Sequence, residues 1–153
     1  MSRTVRFDLL ARLRVLALGA LLALPTSLLA DAGMRTLQLK FGSHALKVEV
    51  AENDAQRMKG LMLREKMGRN DGMLFIFEEP AYQSMWMKNT LIPLSVAFLD
   101  RNGVILNIRD MQPQTLDTHT SAGPALYAVE TNVGWFAQRG IKPGDSVKGL
   151  PRK

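Results

Sequence analysis

The sequence predicts a mainly β protein, a single compact β-sandwich or small barrel with two short helices. Three observations lead to this prediction. The chain has 153 residues, about the length of one domain. Short apolar segments are separated by turn-forming residues roughly every 8 to 12 residues, which is typical of sandwiches and barrels. Apolar residues make up 46% and charged residues 22% of the chain, which places it among globular rather than disordered proteins.

Residues 1–32 have the layout of a secretory signal peptide. Four arginines between residues 3 and 14 form a basic head, residues 15–24 are apolar, and residues 30–32 form an A-x-A cleavage site. The apolar run is shorter than the roughly 20 residues that span a bilayer. We therefore expect cleavage, a mature domain of residues 33–153 with no stable membrane span, and a periplasmic or secreted location. Retention of the segment as an anchor is the alternative.

Charge and cysteine content exclude several classes of protein. The net charge is +6, and removal of residues 1–32 takes away four Arg and two Asp, which leaves +4. So small an excess of positive charge does not predict a nucleic-acid partner. Cysteine is absent, which excludes disulfides, cysteine nucleophiles, iron–sulfur clusters and thiolate zinc sites.

The first half of the mature chain predicts a hairpin, a helix and a buried strand. Segments 36–41 and 46–50 alternate apolar and polar residues, and a Gly42 turn joins them. Asn53 and Gln56 have the spacing of a capping box and predict a helix over 54–65, whose apolar residues recur at helical spacing although Gly60 weakens it. Residues 73–77 form a continuous apolar run typical of a buried strand.

The second half predicts further strands and one helical segment. Segments 85–87 and 93–99 have strand character, and the Asn102-Gly103 pair predicts a hairpin with 104–108. Residues 110–125 form a long polar loop, of the kind that is often functional or mobile in small domains. Strands at 126–130 and 146–148 follow, separated by one or two helical turns over 133–139 that Gly140 ends.

A search for catalytic and cofactor motifs finds none. The chain lacks a G-x-S-x-G elbow, a phosphate-binding glycine loop, an H-E-x-x-H pair and a dinucleotide fingerprint. Its two histidines, His44 and His119, are separated by 75 residues and show no spacing typical of metal ligands. We therefore predict no cofactor and no histidine-based metal site.

Three segments, residues 60–62, 72–75 and 85–94, carry a resemblance to a known family. Here the chain closely resembles the widespread prokaryotic family called domain of unknown function 192, most specifically at its Trp-Met-Lys-Asn-Thr run, and the similarity covers roughly residues 47–149. The resemblance implies a compact, mainly β, often exported fold and no established activity. Members typically carry an Asp where this chain has Ser95, so any role of that carboxylate would be missing here.

Lys88, Asn89 and Thr90 are the first candidate binding residues. They directly follow Met85, Trp86 and Met87, and together they provide an ammonium, an amide and a hydroxyl that could bind a carboxylate, a phosphate or a sugar. The structural alternative is that the three preceding residues belong to the core, while Lys88, Asn89 and Thr90 form the end of a strand and its turn.

Glu130 is the second candidate. It shares the alternation of Ala128, so it points inward if Ala128 faces the core. A buried carboxylate needs a cationic partner, for which Lys88, Arg57 and Arg64 are the candidates. Such a pair could be a structural clamp or a catalytic dyad.

Three functions remain open. The first is a periplasmic domain that binds a small ligand or assists the envelope, with an unknown small molecule or envelope component as partner. The second is a hydrolase or transferase acting on an envelope glycan or anionic ester, with Lys88, Asn89, Thr90 and Glu130 as its polar centre. The third is copper binding by methionines.

The copper hypothesis rests on a concentration of thioethers. Six of the eight methionines of the mature chain lie between residues 58 and 87, and two of them flank Trp86. Thioethers select Cu(I), and Met62 could approach Met85 or Met87 near His119. The alternative is ordinary core packing, with Met58 and Met62 on the buried face of a helix.

Overall fold

The computed structural model describes residues 33–152. The predicted signal peptide lies outside the described residues, so its cleavage stays a prediction. Within residues 33–152, no helix is both long and apolar enough to cross a bilayer.

The domain is mainly β, as predicted, and consists of a curled seven-stranded sheet, a two-stranded sheet and two short helical segments. The strands are β1 (Thr36–Phe41), β2 (His44–Ala51), β3 (Asp71–Ala81), β4 (Ser84–Met85), β5 (Leu94–Leu99), β6 (Ile105–Met111), β7 (His119–Thr120), β8 (Ala125–Asn132) and β9 (Val147–Lys148). The helical segments are α1 (Asp54–Lys59) and a 3₁₀ turn at Ala137–Arg139.

The large sheet has the strand order β6-β5-β8-β3-β2-β1-β9, and β4 pairs with β7 in the small one. All neighbours are antiparallel except β2 and β3, which run parallel. A parallel pair needs a crossover connection. Residues 52–70, which include α1, form this crossover.

The two outer strands of the large sheet meet at one end, which makes it a half-barrel. An isolated bridge joins Val104 to Ser146. On either side of it, Ile105 N donates to Asp145 O at 2.9 Å and Val147 N donates to Gly103 O at 2.9 Å. The barrel alternative of the sequence prediction therefore describes this domain better than the sandwich.

Both faces of the large sheet are buried. One face packs against the aromatic cluster of Phe41, Trp135 and Phe136, whose ring centroids are 5.4 to 5.5 Å apart. The other face carries Met73 and Phe75 and packs under the segments that contain α1 and β4. Burial on both faces explains why the strands of the sheet centre are continuous apolar runs.

The predicted helix over 54–65 is too long, because α1 ends at Lys59. Its start is as predicted, since the Asn53 side chain accepts from Gln56 N and the Gln56 side chain accepts from Asn53 N. Gly60 then has φ 46° and ψ −134°, a conformation that L-residues rarely adopt and that no helix continues through. None of the residues of α1 is buried, and Met58 is 63% exposed rather than packed on the sheet.

The strand predicted over 85–87 is also shorter in the structure. β4 ends at Met85, so Met85, Trp86 and Met87 do not alternate between two faces. The long loop predicted over 110–125 contains β7, which pairs with β4. Two-residue strands of this kind have no periodicity from which a sequence could predict them.

Candidate functional site

A cavity of about 520 Å³ lies on the second face of the sheet, between α1, β3, β4 and the segment that follows β4. This volume is in the range of small-molecule sites. Aromatic rings line it at Phe75, Phe77 and Trp86, and thioethers line it at Met58, Met62 and Met85. Thr90 and Glu130 add a hydroxyl and a carboxyl group to these apolar walls.

A larger cavity of about 690 Å³ lies between the end of β3, the turn after β5 and residues 147–152. Its buried titratable group is Tyr127, whose hydroxyl already donates to Pro151 O at 2.7 Å. Because that polar group is satisfied within the protein, the smaller cavity is the better candidate for a functional site.

Glu130 lies at the base of the smaller cavity. It sits in β8 between Met73 of β3 and Val96 of β5, and its side chain shares the face of Ala128, as predicted. Only 3% of the residue is exposed. Burial raises the pKa of Glu130 to about 8. The carboxyl group is therefore mostly protonated at neutral pH and can both donate and accept a hydrogen bond.

None of the three cations expected to pair with Glu130 does so. Arg64 forms a bidentate pair with Glu49, with nitrogen to oxygen distances of 2.6 and 2.7 Å. Lys88 Nζ instead lies over the Trp86 ring, 5.4 Å from its centroid.

Arg57 lines the cavity but is directed toward other groups. It pairs with Asp54 and lies 3.7 Å from Glu78. It also donates to Glu52 O at 3.0 Å and to Ile76 O at 2.8 Å. Within residues 33–152 the Glu130 carboxyl group has neither an ion pair nor a hydrogen bond, so the expected clamp or dyad is not formed.

The Lys88-Asn89-Thr90 segment is a tight turn whose residues separate in space. Only Thr90 lines the cavity, and its Oγ1 donates to Lys88 O at 3.3 Å. Asn89 adopts φ 54°, a left-handed conformation that asparagine tolerates better than most residues, and its carbonyl accepts from Leu63 N at 2.9 Å. Asn89 therefore shapes the wall of the cavity through its backbone.

Neighbouring loops hold this turn against the sheet. Met87 N donates to Thr115 O at 3.2 Å, and Gln114 N donates to Thr90 O at 3.1 Å. The Met87 side chain is fully buried in the core, as the structural alternative predicted. Trp86 differs from that prediction, because it is 40% exposed and lines the cavity.

Sequence reasoning missed the aromatic and thioether walls. Phe75 and Phe77 lie in a run predicted as core, and Met58 was expected to face the sheet. The sequence feature that pointed to these walls was Gly60. It ends α1, and Met58 and Met62 on either side of it line the cavity.

Six of the eight methionines of residues 33–152 fall into two groups. Met73, Met87 and Met111 are core residues with no exposure. Met58, Met62 and Met85 line the cavity, and Met85 lies directly opposite His119 in the β4–β7 pair. Within the described residues, no three His, Asp or Glu side chains are grouped so that they could hold a metal ion.

Ser95, which stands where the similar family typically has Asp, is fully hydrogen-bonded. Its Oγ donates to the Asp110 carboxylate, which faces it across the β5–β6 pair, and accepts from Gly134 N at 2.8 Å. A carboxylate is thus present beside this position, supplied by the neighbouring strand.

Comparisons with known proteins agree with this fold. Residues 37–149 match domain of unknown function 192, described as "Uncharacterized ACR". A candidate transcription regulator from Sinorhizobium meliloti has a similar structure, with 34% identity, a TM-score of 0.75, and coverage of 78% of this chain and 97% of that one. A protein of unknown function from Novosphingobium aromaticivorans is 34% identical, with a TM-score of 0.74 and coverage of 78% and 89%. No curated protein matches the chain.

Proposed function

The chain belongs to the family called domain of unknown function 192, and because that membership defines a fold without an activity, we propose a function from the cavity itself. The protein is an exported domain that binds a small, largely apolar molecule between α1, β3 and the turn after β4. Export rests on the signal-peptide layout of residues 1–32.

One observation carries the proposal, a buried carboxyl group at the base of a cavity with apolar walls. No buried side-chain oxygen or nitrogen of the described residues lacks a partner, so the unpaired Glu130 oxygens are accessible from the cavity. A ligand could bond to this carboxyl group, and the aromatic and thioether walls would bury its apolar part.

The arrangement supports binding over hydrolysis or group transfer. An enzyme using Lys88, Asn89, Thr90 and Glu130 as one polar centre needs all four within reach of a substrate. Thr90 and Glu130 line the cavity, but Lys88 and Asn89 do not. Lys88 and Glu130 therefore do not form the acid–base pair that the enzyme hypothesis required.

Native mass spectrometry of the mature protein, purified from its own periplasm, tests the proposal. We expect an additional bound mass. The variant Met62→Trp should abolish it, because Met62 is half-buried and lines the cavity, whereas Met67→Trp changes a half-buried methionine outside the lining and should retain it. A bare polypeptide mass, or equal retention in both variants, would contradict the proposal.

Copper binding is a second candidate, favoured by a specific observation. Met58, Met62 and Met85 share the cavity with Trp86, and His119 is the strand partner of Met85. Thioether and imidazole ligands suit Cu(I).

Competition with a Cu(I) chelator of known affinity tests copper binding. We expect binding tighter than about micromolar, which Met85→Leu should weaken about tenfold or more. Met87→Leu, which changes a core methionine, is the control. Binding weaker than micromolar would exclude this function.

A further inference from the structure

We propose that the molecule bound in this cavity carries a protonated amine on an apolar body, and that its ammonium group pairs with the Glu130 carboxylate. This inference rests on the proposed function and specifies its ligand. It follows from three features of the cavity: an acid without a counter-ion, neighbouring cations that do not pair with it, and walls that suit an alkylammonium.

The acid is the first feature. Glu130 is buried, opens into the cavity and has no partner among residues 33–152. The residues paired with it on the adjacent strands, Met73 and Val96, are apolar. A buried carboxylate becomes favourable only when a cation lies beside it. No cation of residues 33–152 pairs with Glu130, so a cationic ligand is the complement of this site.

The surrounding charges are the second feature. The charged groups that line the cavity besides Glu130 are Asp54, Arg57 and Lys59, all from α1. Arg57 is neutralised by Asp54 and Glu78, and Lys59 is exposed at the surface. The loop cation Lys88 lies outside the lining, over Trp86. The position beside the carboxyl group is therefore left to the ligand.

The walls are the third feature. Phe75, Phe77 and Trp86 present aromatic rings, and aromatic faces attract ammonium groups. The 5.4 Å approach of Lys88 Nζ to Trp86 shows that this indole already interacts with an ammonium group. The thioethers of Met62 and Met85 are soft and adaptable, and they can pack against an apolar body of varied shape.

The inference gives binding a definite sign of pH dependence. In the free protein burial raises the pKa of Glu130 to about 8, so at neutral pH the carboxyl group must lose its proton to pair with an ammonium. Amine affinity should therefore rise about tenfold per pH unit up to about pH 8 and then level off, with release of about 0.9 proton at pH 7. A neutral hydrogen-bond acceptor would instead bind the protonated Glu130 carboxyl group, and its affinity would fall above about pH 8.

Calorimetry with three probes of matched shape tests the inference on the full mature protein. Phenethylamine, phenethyl alcohol and hydrocinnamate present an ammonium, a hydroxyl and a carboxylate on the same aromatic body. We expect the amine to bind most tightly, with the predicted proton release measured in buffers of different ionisation enthalpy. Glu130→Gln, which keeps the shape of the side chain, should weaken amine binding about 30-fold or more and abolish the proton release. Glu65→Gln, at an exposed position, should change neither.

The outcomes separate this inference from the proposed function. Tighter binding of the alcohol or the carboxylate would contradict the assignment of an amine ligand, but it would still support a small-molecule site in this cavity. Equal amine affinity in Glu130→Gln would overturn the role of the carboxylate. Absence of binding by all three probes would count against both the amine and the cavity as a binding site. Amine binding at an unrelated surface would be revealed by its persistence in Met62→Trp, and would also overturn the inference.

Discussion

Glu130 places a titratable group inside an otherwise apolar layer of the domain. Its inward direction could be predicted from the alternation with Ala128, because the register of a strand fixes which residues share a face. The absence of an ion-pair or hydrogen-bond partner for Glu130 among residues 33–152 could not be predicted from the sequence. Arg57 and Lys88 interact instead with the nearby residues Asp54 and Trp86. Glu78 and Glu49, which pair with Arg57 and Arg64, are brought to them by the fold from more distant parts of the chain.

The first prediction concerns the pH dependence of stability. The pKa of Glu130 is raised in the folded state, from an ordinary value of 4.5 to about 8, so the folded protein binds more protons than the unfolded chain between these values. Its contribution to the free energy of unfolding is therefore complete below pH 4.5 and falls by about 1.4 kcal/mol per pH unit until about pH 8.

Denaturant melts of the wild type and Glu130→Gln at several pH values measure this effect. The difference between the two proteins isolates Glu130 from other titrating groups. Over the whole interval, we expect Glu130→Gln to gain roughly 3 to 5 kcal/mol relative to the wild type as pH rises. A difference that does not change with pH would contradict the prediction.

The second prediction concerns Ser95 and Asp110. Ser95→Asp would place two carboxylates in contact across the β5–β6 pair and would remove a hydrogen bond, so we expect destabilisation at neutral pH. Ser95→Asp combined with Asp110→Asn should restore most of the lost stability, because one carboxylate remains. Thermal melts of both variants test this. Equal destabilisation of the single and double variants would show that carboxylate repulsion is not the cause.

At the scale of elements, the end of α1 at Gly60 determines the shape of the site. The helix start was predictable, because the Asn53 capping box is a local feature of sequence. The helix end was misjudged, because apolar residues continue at helical spacing beyond Gly60 and periodicity alone does not show that the chain turns away. The strand predicted over 85–87 overlaps β4 only at Met85, and β7 was predicted as loop, since the pairing of these two strands is non-local.

The third prediction concerns Gly60. A Cβ at this position would meet the Phe75 ring at an ordinary 3.4 Å, but φ is 46°, so Gly60→Ala strains the backbone. We expect a loss of about 1 to 2 kcal/mol in the free energy of unfolding. Gly123→Ala is the matched control, because its Cβ would meet Leu106 at an ordinary 3.6 Å. Similar stabilities of the two variants in urea melts would refute this account of the helix end.

At the scale of the whole molecule, the pattern of short strands correctly predicted a mainly β domain but left sandwich and barrel open. Alternation shows which residues are buried and does not show which strands are neighbours. The parallel β2–β3 pair and the meeting of the outer strands depend on long-range pairing, so neither could be inferred from local spacing.

The fourth prediction concerns export. The intact mass of the protein from fractionated cells should correspond to a chain that begins at residue 33 and is found in the periplasm or the medium, because a basic head, a short apolar run and an A-x-A site are typical of a cleaved secretory signal. A full 153-residue chain in the cytosol or in the membrane fraction would show that the segment is not a cleaved signal.

The bridge between Val104 and Ser146 also has a consequence for self-association. An open sheet exposes rows of backbone donors and acceptors at its two borders, and another chain can add to them as an extra strand. Here the two borders partly satisfy each other, through the bonds of Ile105 and Val147 to the opposite segment. The contacts between the two borders of the sheet thus reduce the length of unpaired strand edge to which another chain could add in a fibril. This arrangement should lower the tendency of the domain to add strands from other chains at its borders.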